Sequence, residues 1–190
     1  MIPMTSVEPI VVVLLLLLVH GALGAFDTFV NHEWRERLPA QPWAGAELTT
    51  HAARSLMFAI IFAGVAWLEW HGAWGWAMLG LMAAEVGVTL ADSVIEDRTR
   101  RLSPVERINH MLLALNTGAY MAFFALQVAA RWQALPDGVV PARHPRLLAW
   151  LLTACAAAVL VWTVRDGVAA WRRARHGLAG AGATAPHAAH

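Results

Sequence analysis

The stretch Asp92–His110, D-S-V-I-E-D-R-T-R-R-L-S-P-V-E-R-I-N-H, sets Asp92, Glu96, Asp97, Glu106 and His110 between two apolar runs long enough to span a bilayer. An earlier echo holds Asp27, His32, Glu33, Arg37, Leu38 and Pro39, followed by Glu47 and His51. In both copies an apolar helix runs into acids, a short Arg-bearing loop follows, and the next helix opens with E-x-x-x-H. Glu47 and His51, like Glu106 and His110, are one turn apart and share a helix face. Carboxylate and neutral imidazole together are ligands suited to iron or manganese. The lone cysteine, Cys155, gives no thiolate set for copper(I) or structural zinc.

Helical spacing extends these pairs into stripes. His20, Asp27 and Asn31 are separated by seven and four and line one side of a first helix. Glu85, Asp92 and Glu96 repeat that spacing on a third helix. Glu47, His51 and Arg54 share a face of the second helix, and Glu106, His110 and Thr117 a face of the fourth. His20 and Glu85 fall near the bilayer centre, about 16 Å from the outer helix ends at 1.5 Å per residue. Ionised side chains at such depth face the bundle interior and need partners. The acids of the stripes outnumber Arg54 and Arg107, so a bound divalent cation would balance the excess. The candidate metal residues are Asp27, Glu47, His51, Asp92, Glu106, His110, His20 and Glu85. Glu96 and Arg54 are the candidate catalytic residues; Glu96, with Glu33 and His32, is also a neighbouring or alternate ligand, and Arg54, with Asn116, orients ligands or substrate.

The elements that must position these groups follow from composition. The chain has 190 residues, 58% apolar and 14% charged, with mean hydropathy +0.52. Soluble domains carry about 25% charged residues, so the sequence reads as an integral membrane protein. Net charge +1, with the arginines dispersed among loops, gives no reason to expect nucleic acid. The spacing predicts an all-α fold of five transmembrane helices in a single domain over residues 1–174. The helices run over about 9–31, 46–71, 74–98, 104–132 and 145–174. Two repeated hairpins, 9–71 and 74–132, form a polar-lined four-helix bundle, and the fifth helix is extra. Residues 175–190, rich in Gly and Ala, read as a disordered cytoplasmic tail. The Leu-rich first segment has no basic residue ahead of it, and cleavage near Ala25 would remove His20, so it is expected to be retained rather than lost as a signal peptide. Arginines cluster in loops 1–2 and 3–4 and after helix five. The positive-inside rule then puts the N-terminus outside and the C-terminus in the cytoplasm, in a bacterial inner membrane. Trp67, Trp70, Trp74 and Trp76 suit an interfacial belt, and Arg98, Arg100 and Arg101 read as loop anchors.

The pattern resembles the di-iron or di-manganese carboxylate bundles of ferritin-like proteins, in which two helices give one carboxylate each and two give a Glu with a His one turn on. The resemblance covers helices one to four. It implies Glu47 with His51 and Glu106 with His110 as the acid–histidine pairs, and Asp27 and Asp92, or the nearby Glu33 and Glu96, as single carboxylates. Ferritin-like pairs are spaced E-x-x-H, whereas here they are E-x-x-x-H. The expected function is a membrane-embedded non-haem centre of two irons, or manganese. It would carry O2-dependent hydroxylation or desaturation of an apolar or membrane-associated substrate, with electrons from a soluble reductase or a membrane partner subunit.

Three other classes share the same residues. A small proton-coupled transporter or channel would use His20, Glu85, Asp27 and Asp92 as a relay. A haem-binding subunit would take His51 and His110 as axial ligands. A structural subunit of a larger complex would use the stripes to join helices.

Overall fold

A computed structural model of the chain describes residues 8–183, with side chains described as far as Arg175. Helix α1 (Pro9–Phe26) runs on into π-helical turns over Asp27–Arg35. A short 3-10 turn, Leu38–Ala40, leads to α2 (Gly45–Trp67). After β1 (Leu68–His71), α3 (Ala73–Thr99) returns and α4 (Pro104–Gln127) follows, ending in a second π-helical stretch, Val128–Trp132. Then come β2 (Gly138–Pro141) and α5 (Arg146–Ala183). The protein is predominantly helical, and five helices are long and apolar enough to cross a membrane.

Local chemistry explains the boundaries. Pro9 and Pro104 sit in the first turns of α1 and α4, where a missing N–H costs nothing. Ser103 caps α4 by accepting from the Glu106 N–H at 3.2 Å, as the S-P-x-E spacing predicts. The Glu106 carboxylate does not reach back to complete a capping box; it turns inward to Arg100. Helix α2 was expected to reach His71, but it stops at Trp67. Leu68 turns extended, and Leu68–His71 pairs antiparallel with Gly138–Pro141 in a two-stranded ladder. The Gly64 carbonyl accepts both the Leu68 backbone N–H and, at 3.0 Å, the Trp70 indole N–H, which ties the strand back onto the helix end. Helix α5 runs to Ala183, past the Ala174 end expected for it; of the expected tail, residues 184–190 lie outside the described residues.

Helix α2 packs along α5 and against α3, and α1 packs against α4 and α5. The fifth helix therefore joins the bundle. The apolar core fills the half near the β-ladder, with Leu14, Leu17, Ile61, Phe62, Met82, Tyr120 and Phe124 all buried. The carboxylates and histidines occupy the other half.

Gly72 forms the corner between β1 and α3 at φ +57°, a conformation L side chains avoid. A Cβ there would lie 1.9 Å from Asp137 Oδ1, which accepts from the Ala73 N–H at 2.9 Å. Gly72→Ala is expected to destabilise by about 2 kcal/mol or more, lowering the unfolding midpoint in detergent by several degrees while leaving any metal content unchanged. An unshifted midpoint would mean that this corner does not hold the two strands in place.

Candidate metal centre

The winding of the chain after α1 builds the first part of the site. In an α-helix each residue turns about 100°, so His32 would stand about 140° away from Asp27. The π-helical turns, with i→i+5 bonding, rotate less per residue. They bring Asp27, Asn31 and His32 together to the bundle interior, where all three are buried. Asn31 donates to Asp27 Oδ1 at 2.7 Å. The first turns of α2 and α4 supply Glu47 with His51 and Glu106 with His110, and the last turns of α3 supply Asp92 and Glu96.

Two quartets result. In the first, one ligand atom each from Asp27, His32, Glu106 and His110 lies within 4.8 Å of the others. In the second, the same holds for His32, Glu47, His51 and Glu96. Each E-x-x-x-H pair belongs to a different quartet, and His32 belongs to both. Within this cluster His110 Nε2 lies 3.2 Å from Asp27 Oδ2, and His32 Nε2 lies 3.6 Å from the same oxygen and 3.8 Å from Glu106 Oε1. The His32 and His51 rings stack flat, 4.4 Å between centroids.

Three buried donor atoms of the second quartet, His32 Nε2, His51 Nε2 and Glu47 Oε2, have no hydrogen-bond partner among the described residues. His51 Nε2 does come within 3.1 Å of Asp92 Oδ2, but off the hydrogen-bonding direction. Buried polar atoms are rarely left unpaired. Imidazole nitrogen and carboxylate oxygen with free lone pairs are a donor set that could hold a divalent cation such as iron or manganese.

Arg100, expected to be a loop anchor, is drawn inside. Its Nη2 lies 2.9 Å from Glu47 Oε1, 3.2 Å from Glu96 Oε1 and 2.7 Å from Glu106 Oε1, so three carboxylates from three helices share one guanidinium. Burial opposes the charge on Arg100, but hydrogen bonds to Glu106 and Glu47 outweigh it and hold its pKa above the ordinary arginine value. A cation of raised pKa contributes its stabilisation below its ordinary pKa and loses it only as pH rises through the raised one. The pairing therefore persists throughout the working pH range. The sequence did carry a signal for it: Glu96 and Arg100 are an i, i+4 pair.

The remaining expected residues lie beside the quartets. Arg54 bonds Glu85 Oε1 at 3.3 Å and Asp92 Oδ2 at 3.1 Å. Asp92 also accepts from the Thr50 hydroxyl and contacts His51, so it stands beside a candidate ligand rather than in a quartet. Glu85 accepts from Thr89 at 2.6 Å. His20 stacks on Phe58 at 4.5 Å and meets Asn116 Nδ2 at 3.4 Å, in the apolar half. Glu33 is paired with Arg165. Asp92 meets His51 at Nε2, the atom offered as a ligand, so it competes with a cation there instead of orienting the ring from its other nitrogen. Asp92→Asn is therefore expected to leave metal retention undiminished, measured by competition with a chelator. Retention lowered about tenfold or more would show that Asp92 is itself a ligand.

A cavity of about 460 Å³ lies between α1, α2 and α5 and reaches the cluster. Its lower end is lined by Asp27, His32, His51 and Asp166, and its upper part by Phe58 and Phe62. This wall was not legible from spacing, because α5 carries none of the repeated polar residues. Comparison with protein-family models, curated proteins and solved structures finds no match to the chain.

Proposed function

We propose that the chain is a membrane-embedded protein of two metal ions, most simply iron, that catalyses O2-dependent oxidation of an apolar molecule. The observation that carries this reading is the pair of four-residue clusters sharing His32, each with its own E-x-x-x-H pair and with unpaired buried donors. One ion would be held by Asp27, Glu106 and His110 and the other by Glu47, His51 and Glu96, with His32 placed to serve both only as an imidazolate, through its two ring nitrogens. The arrangement has the logic of the ferritin-like carboxylate bundles, with single carboxylates Asp27 and Glu96. It is built from the two repeated hairpins, to which His32 is an addition.

Bound iron would supply the redox chemistry that lets O2 oxidise an unactivated C–H bond. For hydroxylation the balance is R–H, O2, two electrons and two protons giving R–OH and water. The electrons come from a soluble reductase or membrane partner subunit on the cytoplasmic side, where the positive-inside rule places the loops beside the cluster. Arg54 holds Asp92 and Glu85, and Arg100 offsets the charge of three glutamates. The cavity holds the substrate and keeps water from it. Localisation would be the bacterial inner membrane.

The test is elemental analysis and optical spectroscopy of detergent-purified protein beside Glu106→Ala and His110→Ala. Loss of about half the iron or manganese in each variant supports the reading, because Glu106 and His110 serve one quartet only; a chain without metal from iron-replete cells removes it. A relay function is favoured by the connected run Glu85, Arg54, Asp92 and His51. Proton flux in liposomes that Glu85→Gln abolishes, in metal-free protein, would decide for it.

A further inference from the structure

The cavity beside the cluster has a shape and a polarity that restrict what it can hold. Its lining runs from Leu18 to His32 along the first helix and from Leu151 to Asp166 along α5, about 20 Å at 1.5 Å per residue. A volume of about 460 Å³ drawn out over that length is an elongated slot in the ordinary size range of small-molecule sites, a shape suited to an extended chain. Phe29 and Leu151 line it and are 55% and 45% exposed. Both belong to membrane-crossing helices, so the cavity opens sideways toward lipid.

The polar end has no charge to spare. Asp27 is engaged by Asn31 and His110, and Asp166 by Arg165 at 2.6 Å. Arg54, which lines the same end, is committed to Glu85 and Asp92. In the metal-free chain an anionic head would meet two aspartates with no free cation, and a cationic head would find no free carboxylate. The Ser55 hydroxyl, one turn from His51, also lines the cavity and offers a neutral hydrogen bond.

We propose that this cavity is the binding site for a single-chain, long aliphatic molecule with a neutral polar terminus, an alcohol or an aldehyde, bound with that terminus at His32 and His51 and its chain toward Phe62. This names the substrate class of the metal centre and rests on that reading, although binding itself does not require the metal.

Gly24 lines the cavity, and a Cβ built on it meets nothing within 4 Å. Gly24→Phe therefore has room for its first side-chain carbon and is chosen to obstruct the channel from α1, and Ala158→Phe to obstruct it from the α5 wall. The experiment is native mass spectrometry of the full chain, as purified and after chelator treatment, incubated with 1-hexadecanol, hexadecanoate or a two-chain phosphatidylcholine; metal content is measured on the same samples, and the hexadecanoate comparison is made on the chelated chain. The expected result is one hexadecanol per chain, retention at least tenfold lower for hexadecanoate, and at least tenfold loss of hexadecanol in either filled variant. Hexadecanoate or phosphatidylcholine held as tightly as the alcohol would overturn the proposal, and that comparison needs no variant. Unchanged retention in both filled variants would overturn it too. Hexadecanol retained by a chain without metal would support this site while removing the di-metal reading. Metal present with no hexadecanol retained would remove this proposal alone.

Discussion

Replacing His32 with alanine is expected to remove metal from both positions at once, leaving less than about one-tenth of the content of the unaltered protein. The expectation follows from the geometry. His32 is the residue common to the two quartets, and its Nε2 is buried without a hydrogen-bond partner among the described residues. Loss of any other ligand leaves one quartet intact. Loss of this one leaves three donors in each, and it opens the face of His51 against which the ring stacks. His20→Ala is the matched control. His20 is equally a buried histidine of the first helix, but it packs on Phe58 and Tyr120 away from the quartets. Metal analysis of the two variants should therefore separate them sharply. Equal content in both would show that His32 is not shared, and losses in both would point to a global packing defect.

The second large effect concerns Arg100. Removing one partner of a buried ion pair typically costs about 3–5 kcal/mol, because the other charge is left uncompensated. Here three glutamates, each 1–2% exposed at the side chain, depend on one guanidinium that is itself 6% exposed. Against a total stability of about 5–15 kcal/mol, Arg100→Ala in metal-free protein is expected to be close to unfolding. A divalent cation placed among the same carboxylates replaces the missing charge. Loading the variant with Mn²⁺ or Fe²⁺ should therefore recover most of the lost thermal stability, whereas the unaltered protein should gain less. Thermal unfolding in detergent with and without metal measures both terms. A variant as stable as its parent in the absence of metal would show that the glutamates are protonated or hydrated rather than held by Arg100.

Much of the site was legible in the sequence, and what was not has identifiable physical causes. Spacing alone identified Glu47 with His51 and Glu106 with His110, because i, i+4 residues share a face wherever the winding is α-helical. Composition alone indicated five apolar spans. His32 was read only as a neighbouring or alternate ligand, because the α-helical period turns it away from Asp27 and nothing in D-T-F-V-N-H announces π winding. The second half of the chain keeps its α-helical winding at the matching place. Asp92 and Glu96 are then one α-turn apart, and Glu96 rather than Asp92 enters a quartet. Symmetry between the copies suggested Asp27 and Asp92 as equivalents; different winding makes them different. Arg100 was read by its loop position, although the excess of acids on the neighbouring stripes called for an internal cation. The strand at Leu68–His71 pairs with a segment far along the chain, a contact that local periodicity does not carry.

The measurement closest to the central claim is Mössbauer and electron paramagnetic resonance spectroscopy of the iron-loaded, oxidised protein, with iron per chain determined on the same sample. Two ions held by quartets that share His32 predict about two irons per chain, close enough to interact magnetically, and both the iron and its spectrum should vanish in His32→Ala. Iron bound as isolated high-spin ferric ions, or a chain that takes up none, would contradict the account.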